Sequence, residues 1–520
     1  MNTVATREIE GRRLEEQARL DSLKTAQERN KWGQFATPPE LALSIARYAH
    51  SLLDGESVRF LDPAIGTGSF YSALLQAFPP DQIETATGIE LDPIFSQAAA
   101  ALWGTTGLRI VTGDFTQQRR PLERFDLVLT NPPYVRHHHL TASQKDRLRQ
   151  QLVQSFNLDL SGLAGLYCYF LLLCHDWMED GGLAVWLIPS EFMDVNYGKT
   201  LRRYLTERVT LLHIHRFCPT DVQFTDALVS SAVVVFRKLL PPSGHSARFS
   251  FGGPIEHPQK EAMVPVETLR WSHKWTQFPG GQVTSTQGEL TLGDLFSIKR
   301  GLATGANSFF VLTEEHACEL DLPQQFLKPI MPGPRHLTGD VIEALPSGNP
   351  DVSPRLWLLD CSEPEERIRI DWPRLYEYLQ QGRAQNIHTT YLTSRRTPWY
   401  SQEQRPPAPF LCTYMGRANN GKHPIRFLWN RSEATAHNVY LMLYPQARLR
   451  DALNAQPDLQ SSVFEALKRI DPSQVLSEGR VYGGGLHKVE PKELAQIPVR
   501  LVLETIGGPL GIERQERLFA

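Results

Sequence analysis

Phe125-Asp126-Leu127-Val128-Leu129-Thr130-Asn131-Pro132-Pro133-Tyr134 is an apolar run that ends in an amide, two prolines and an aromatic ring. Residues 125–130 read as a buried strand, and the ends of strands are where open α/β sheets bind ligands. Asn131 offers a neutral carbonyl acceptor. Pro132 offers a backbone carbonyl on a residue with no N–H of its own, and Pro133 stiffens the turn. Tyr134 adds a ring face. Two acceptors and a ring can grip a planar group that carries an exocyclic NH2. A plain Pro-Pro turn after a strand would use the same four residues, so the rest of the chain has to decide.

Working outward, strand patterns fall at 58–61, 85–89, 108–112, 125–130, 183–188, 210–215 and 229–236. Helical patterns fall at 39–52, 69–77, 93–103, 141–153, 165–179 and 199–206. Such alternation predicts a doubly wound sheet. The last strand, from Leu228 to Phe236, has no helix after it and suits antiparallel pairing.

Three strand ends carry acids. Phe60-Leu61-Asp62-Pro63-Ala64-Ile65-Gly66-Thr67-Gly68-Ser69-Phe70 reads as strand, glycine turn and helix start, with Gly66 and Gly68 letting the backbone approach a ligand. The third glycine of a dinucleotide fingerprint is missing, because Tyr71 holds its place. An acid beside this turn repels a pyrophosphate and attracts an amino or sulfonium cation. The second strand ends at Glu90, suited to a ribose diol. The third ends at Asp114-Phe115, suited to an adenine amino group and ring. As an ordered set, Asp62, Glu90 and Asp114 fit a cationic adenosine ligand, and S-adenosylmethionine (AdoMet) meets that description. Each acid alone reads equally as a solvated helix cap. Upstream, Gly33-Gln34-Phe35-Ala36-Thr37-Pro38-Pro39 precedes a periodic helix, with Thr37 expected as N-cap and Pro38 as first helical residue.

The order Gln34-Phe35-Ala36-Thr37-Pro38, Asp62-Pro63-Ala64-Ile65-Gly66-Thr67-Gly68, Glu90, Asp114, Asn131-Pro132-Pro133-Tyr134 resembles the gamma class of AdoMet-dependent N6-adenine DNA methyltransferases, of the TaqI-like and PstI-like kind, over about residues 31–238. The resemblance implies a seven-stranded methyltransferase sheet at 31–240, preceded by a leader helix or arm at 1–30. A linker at 241–290 and a mixed α+β target-recognition domain at 291–520 follow. The recognition domain rests on Leu292 to Asn307 and on Tyr482 to Leu494, which also read as Gly-rich turns. Thr37 and Pro38 would meet the AdoMet carboxyl end, and the Asp62 loop its methionine moiety. Glu90 would take its ribose and Asp114 with Phe115 its adenine. Asn131 and the Pro132 carbonyl would grip a flipped-out adenine, Tyr134 would stack on it, and Phe224 would form a second aromatic wall or else belong to the core.

The activity implied is methyl transfer to adenine N6 in double-stranded DNA, by a monomer, as the modification half of a restriction-modification or phage-defence system. Cytosine N4, an RNA base amine and a protein glutamine are the alternative acceptors. Residues 1–30 are too few for a nuclease domain, which leaves two readings open: a cognate endonuclease encoded separately, or an orphan methylase. A net charge of −3 over 520 residues argues against a uniformly basic nucleic-acid binder but not against a local basic face. Six scattered cysteines (168, 174, 218, 318, 361 and 412) form no CxxC pair, so free thiols are expected and structural zinc is not. The charged N-terminus is no signal peptide, and the apolar stretches are too short to span a bilayer, so a cytoplasmic protein is expected. For DNA contact the candidates are Arg136 and His137 at the start of an Arg-His-His-His run, the helix with Lys145, Arg147 and Arg149, and, within a basic stretch at 355–431, Arg395, Arg396 and Lys422.

Overall fold

A computed structural model describes residues 3–218, 221, 223–224, 230–272, 274–280, 290–417, 423–482, 486–499 and 502. The chain divides into two compact units, one of residues 1–284 with 482–484 and one of the rest.

The first unit begins with helices α1 (Thr3–Ser22), α2 (Ala26–Trp32) and α3 (Pro39–Ser51). Alternating elements follow: β1 (Val58–Asp62), α4 (Ser69–Ala77), β2 (Ile83–Glu90), α5 (Pro93–Trp103), β3 (Leu108–Thr112), β4 (Phe125–Thr130), α6 (Ala142–Phe156), α7 (Leu166–Leu173) and β5 (Met178–Pro189). The unit continues with α8 (Lys199–Glu207), β6 (Thr210–Arg216), β7 (Ser231–Arg237), β8 (Ser246–Phe251), β9 (Lys260–Pro265) and α9 (Val266–Trp271). The strands form one sheet in the order β3-β2-β1-β4-β5-β7-β6-β8-β9. β1 to β5 run parallel, and β7 is antiparallel to both β5 and β6, as the missing helix after it suggested.

The parallel strands are apolar on both faces because helices cover both. On one face Leu61, Val128, Ala184 and Trp186 join Tyr169 and Tyr204. On the other Phe60, Leu127, Leu129 and Val185 join Ile45 and Ala46 of α3. Each large side chain so buried contributes about 1.5–3 kcal/mol. The two faces together fix which way every strand points. The order reverses between β1 and β4, and that switch point opens the crevice in which a ligand binds.

Two expectations need correction. The sheet has nine strands among the described residues where seven were expected. The expected linker at 241–290 holds the extra two, with β8 parallel to β6 and β9 antiparallel to β8. Trp275 beyond them is fully buried, and its backbone N–H donates to the Met193 carbonyl. The Pro and Gly residues there mark tight turns between neighbouring strands rather than a domain boundary. The expected 165–179 helix is also shorter: α7 ends at Leu173, a 3-10 turn follows, and Met178 already belongs to β5.

The second unit contains a five-stranded sheet ordered Phe296–Arg300, Tyr440–Pro445, Phe410–Thr413, Phe427–Asn430, Val341–Ile342. A four-stranded sheet is ordered Val311–Thr313, Leu356–Leu359, Leu327–Met331, Thr435–Ala436. Helices Glu365–Asp371, Pro373–Ala384, Ala447–Ala455 and Leu459–Lys468 accompany them. No helix among the described residues is long and apolar enough to cross a membrane.

Candidate active site

Asp62 ends β1, is buried, and accepts at Oδ1 from the Thr130 hydroxyl (2.7 Å) and the Ala64 N–H (3.0 Å). Desolvation by burial pushes its carboxyl up to about 7. Glu90 ends β2 and accepts from the Gly66 N–H (2.9 Å) and the Asp92 N–H (2.8 Å). The residue keeps some exposure but its carboxylate is enclosed, and burial raises its pKa as well. Two acids thus sit in a tight space, where a cation would relieve both. Pro63 is buried at the turn, and Ala64, Gly66 and Thr67 line the cleft beyond it. Gly68 (φ +93°) caps α4, and a Cβ there would stand 2.5 Å from Trp103 Nε1.

Asp114 caps a short turn, accepting from the Thr116 N–H (2.9 Å) and hydroxyl (2.7 Å), with Arg147 Nη2 at 3.5 Å. Phe115 is a core residue, its ring 5.1 Å from those of Phe170 and Trp177, and it is not turned to the cleft as expected.

Thr37 lies one residue ahead of its expected place in the helix start. The N-cap of α3 is Pro38, Pro39 is the first helical residue, and no side chain caps the helix. Freed from capping, Thr37 Oγ1 accepts from Asn131 Nδ2 (3.2 Å), and the Thr37 carbonyl accepts from the Ser69 hydroxyl (2.8 Å). Asn131 Nδ2 also donates to the Phe35 carbonyl (3.0 Å). That carbonyl can only accept, so it fixes which way the amide faces. Asn131 Oδ1 is then buried with no partner among the described residues. No donor among the described residues reaches the Pro132 carbonyl either. Two acceptors of consecutive residues are thus left without a donor among the described residues, and Asn131 lines one cleft with Asp62 and Ala64.

Gly33 explains why the upstream motif sits here. It ends α2 in the left-handed region (φ +63°), and a Cβ on it would lie 2.3 Å from the Tyr134 nitrogen. Its carbonyl accepts the Tyr134 N–H (3.1 Å). Tyr134 is buried and its hydroxyl donates to the Leu187 carbonyl (3.1 Å). Pro133 beside it stays half-buried. The Tyr134 ring lies 5.7 Å from Phe35 and 5.9 Å, edge to face, from Phe224. Phe224 is buried in this cluster, so the structure brings it to Tyr134 and to the core together. The three rings close on one another and do not form two open walls.

Sequence reading missed the part of the cleft contributed by α1. Gln17 lines it, and the Thr67 hydroxyl donates to Gln17 Oε1. The residues on α1 repeat at helical spacing but are polar, so hydrophobic periodicity carries no trace of them. Among the basic residues, Arg136 is exposed and His137 begins a 3-10 turn of three contacting histidine rings. Arg147 donates to the Thr116 carbonyl, and Arg149 pairs with Asp159 at 2.9 Å. Arg395 is exposed, its guanidinium 3.7 Å from the Tyr391 ring centroid. Arg396 is turned inward, donating to the carbonyls of Ala303 (2.7 Å) and Thr304 (2.9 Å), which corrects its expected place on a DNA-facing surface. Lys422 lies outside the described residues. The described cysteines are all free, and no group of three or more metal-ligating side chains assembles among the described residues.

Residues 281–511 match the family described as Type II methyltransferase M.Eco57I, C-terminal domain, and residues 110–223 match the Eco57I restriction-modification methylase family. Type II methyltransferase M.XamI of Xanthomonas campestris pv. amaranthicola is 28% identical over 480 residues, covering 90% of this chain and 85% of its own length. Type II methyltransferase M.AccI of Acinetobacter calcoaceticus is 24% identical over 491 residues, with the same shares, 90% and 85%. Among solved structures, the Type IIL restriction-modification enzyme MmeI in complex with DNA overlays with a TM-score of 0.55 at 13% identity, over 95% of this chain and 78% of that one. That likeness concerns the fold alone. The sequence matches support a methyltransferase of the restriction-modification kind.

Proposed function

We propose that this chain transfers a methyl group from AdoMet to N6 of an adenine extruded from duplex DNA, as the modification half of a restriction-modification system. The observation that carries the reading is Asn131: its amide nitrogen is spent on Phe35 and Thr37, and its oxygen is buried without a donor. An orphaned buried acceptor costs about 1–3 kcal/mol. Such a cost persists where a ligand supplies the missing donor.

The residues fit the cofactor. Asp62 and Glu90 supply negative charge at the strand ends, where a cationic ligand that also carries a diol is best held, and Asp114 stands at the third. When bound, AdoMet supplies an electrophilic methyl on a positively charged sulfur and departs as the neutral thioether. The protein's part is position and polarity. An adenine amino group donates its two N–H bonds to Asn131 Oδ1 and the Pro132 carbonyl, which draws the nitrogen lone pair away from the ring. Preorganised acceptors of this kind lower the barrier without a strong base. One amine proton passes to solvent after the C–N bond forms.

A paired adenine cannot present N6 in this way, so the base has to leave the stack. Tyr134 offers its ring to that base once Phe224 swings aside. Duplex DNA is favoured by the second unit, where an exposed Arg395 stands on the Tyr391 ring and where residues 281–511 match a methyltransferase C-terminal domain. The protein would act in the cytoplasm as a monomer.

The test is incubation with tritiated AdoMet and duplex DNA, then digestion to nucleosides. Label in N6-methyldeoxyadenosine is expected. Label in N4-methyldeoxycytidine, in RNA or in protein glutamine would transfer the assignment to that acceptor, because the Asn131 grip suits any planar NH2.

A further inference from the structure

A polar stripe on α1 reaches the cleft through Gln17. Glu10, Arg13, Gln17 and Asp21 follow one another at three- and four-residue spacing and so share one side of the helix. Arg13 is 1% exposed. Its Nε and Nη2 donate to the two Glu10 oxygens (2.8 and 2.7 Å), and its Nη1 donates to the Thr67 hydroxyl (3.1 Å). That hydroxyl donates to Gln17 Oε1 (2.7 Å), and Gln17 Nε2 donates to Asp21 Oδ1 (2.9 Å). The relay thus runs from a buried guanidinium, through the glycine loop after β1, to an amide that lines the cleft.

Burying an arginine is expensive unless its charge is paired and hydrogen-bonded. Here one face of the fork is matched by Glu10 and the rest is spent on a loop hydroxyl. Apolar packing among the described residues of α1 is limited to Leu20, in a small cluster with Phe95 and Ala98, and to the half-buried Ile9. Lys24, just past the helix, pairs with Asp92 at 2.7 Å, two residues after Glu90. Helix α1 and the residue just past it are therefore tied to the turns that follow Asp62 and Glu90. Gln17 meets the loop where α4 begins, and the first N–H groups of α4 favour a carboxylate there.

We propose that α1 is a wall of the cofactor site. Gln17 contacts the amino-acid end of AdoMet with its remaining amide N–H, and Arg13 positions Gln17 through Thr67. The proposal rests on the reading of the cleft as an AdoMet site. It predicts that the cofactor and α1 stabilise each other, because α1 is held to the cleft largely by polar contacts that a bound ligand completes.

The experiment is calorimetric titration of the full chain with S-adenosylhomocysteine, paired with hydrogen exchange over residues 10–24. Ligand is expected to slow exchange in that segment. Gln17→Ala and Arg13→Ala are each expected to weaken ligand binding tenfold or more, raising the KM for AdoMet while kcat at saturating AdoMet holds. Gln17 is half-buried, so its variant carries the test should Arg13→Ala fail to fold. Wild-type protein that binds the ligand while Gln17→Ala stays within twofold, with exchange over 10–24 unmoved, overturns the role of α1 alone. Wild-type protein that does not bind the ligand overturns the AdoMet reading itself, and this inference with it.

Discussion

Asn131 in the first unit and Arg396 in the second are both polar residues that the sequence offers for ligand contact, and their surroundings treat them in opposite ways. The protein satisfies the nitrogen of Asn131 and leaves its oxygen bare. It consumes Arg396 internally, on the carbonyls of the loop after strand Phe296–Arg300 and on Gln402. The difference extends to the units as wholes. In the first, the chemical groups stand at the ends of parallel strands, where topology alone puts them in one crevice. In the second, many cations of the basic stretch are neutralised by acids of the same unit: Arg367 by Glu363 and Asp371, Arg426 by Asp340, Arg431 by Glu343. Function is written at topological positions in the first unit, and in the second it depends on which charges remain after folding.

The largest expected effect tests the first half of that contrast. Asn131→Ala should cut methyl transfer by about 100- to 1000-fold, the usual cost of removing one preorganised hydrogen-bonding group. Affinity for S-adenosylhomocysteine should stay within about threefold, because the loss falls on the transition state and not on cofactor binding. Thermal stability should change little, since the donor lost by the Phe35 carbonyl and Thr37 hydroxyl is offset by removal of an unsatisfied buried oxygen. Transfer and calorimetry on one preparation separate these outcomes, and near-normal turnover would end the assignment of Asn131.

Gly33→Ala comes next. The new Cβ would collide with the Tyr134 backbone in a left-handed conformation. A strained φ alone costs about 1–3 kcal/mol, and the collision adds to it. A lower melting temperature and reduced activity are expected together, because this glycine joins the upstream motif to the turn after β4.

Acidity should then sharpen the reading of the crevice. Asp62 titrates near 7 because burial disfavours its charge. A folded pKa raised above that of the unfolded chain means that this group lowers stability as pH rises from about 4 to about 7. A cationic ligand prefers the ionised form, so AdoMet affinity should climb about tenfold between pH 6 and 8. The neutral thioether product should show a smaller change, and titrations at several pH values compare the two. In Asp62→Asn the dependence should flatten.

The parallel sheet was legible because its strands are continuous apolar runs and its helices are periodic, and the acids were legible because each sits where a strand stops. Three things were not. The strands at 246–251 and 260–265 are separated by Pro and Gly turns that look alike whether they join neighbours or domains. Helix α1 reaches the cleft with Gln17, backed by the buried Arg13, and a polar stripe leaves no hydrophobic period to find. Thr37 reads as a cap, since a threonine before two prolines ordinarily is one, yet its hydroxyl is needed by Asn131, ninety-four residues away in sequence. In the second unit the fate of each arginine turns on partners such as Ala303 or Asp340 that only folding brings near.

The smallest expected effect probes that last point directly, with two neighbouring arginines. Arg395 is exposed, stacked on a Tyr391 ring that is itself 73% exposed, and its Nη1 donates to the Tyr391 carbonyl (2.7 Å). If it meets a DNA phosphate, Arg395→Ala should weaken duplex binding a few-fold and reduce the slope of log affinity against log salt by about one. Stability should not change. Arg396→Ala should do the reverse: two loop carbonyls lose their donor, stability falls by about 1–3 kcal/mol, and the salt slope is unmoved. Binding isotherms at four salt concentrations, beside thermal melts, distinguish the pair. An unchanged slope for Arg395→Ala removes that residue from the phosphate-binding surface, and a changed one for Arg396→Ala would mean that the inward guanidinium is released when DNA binds.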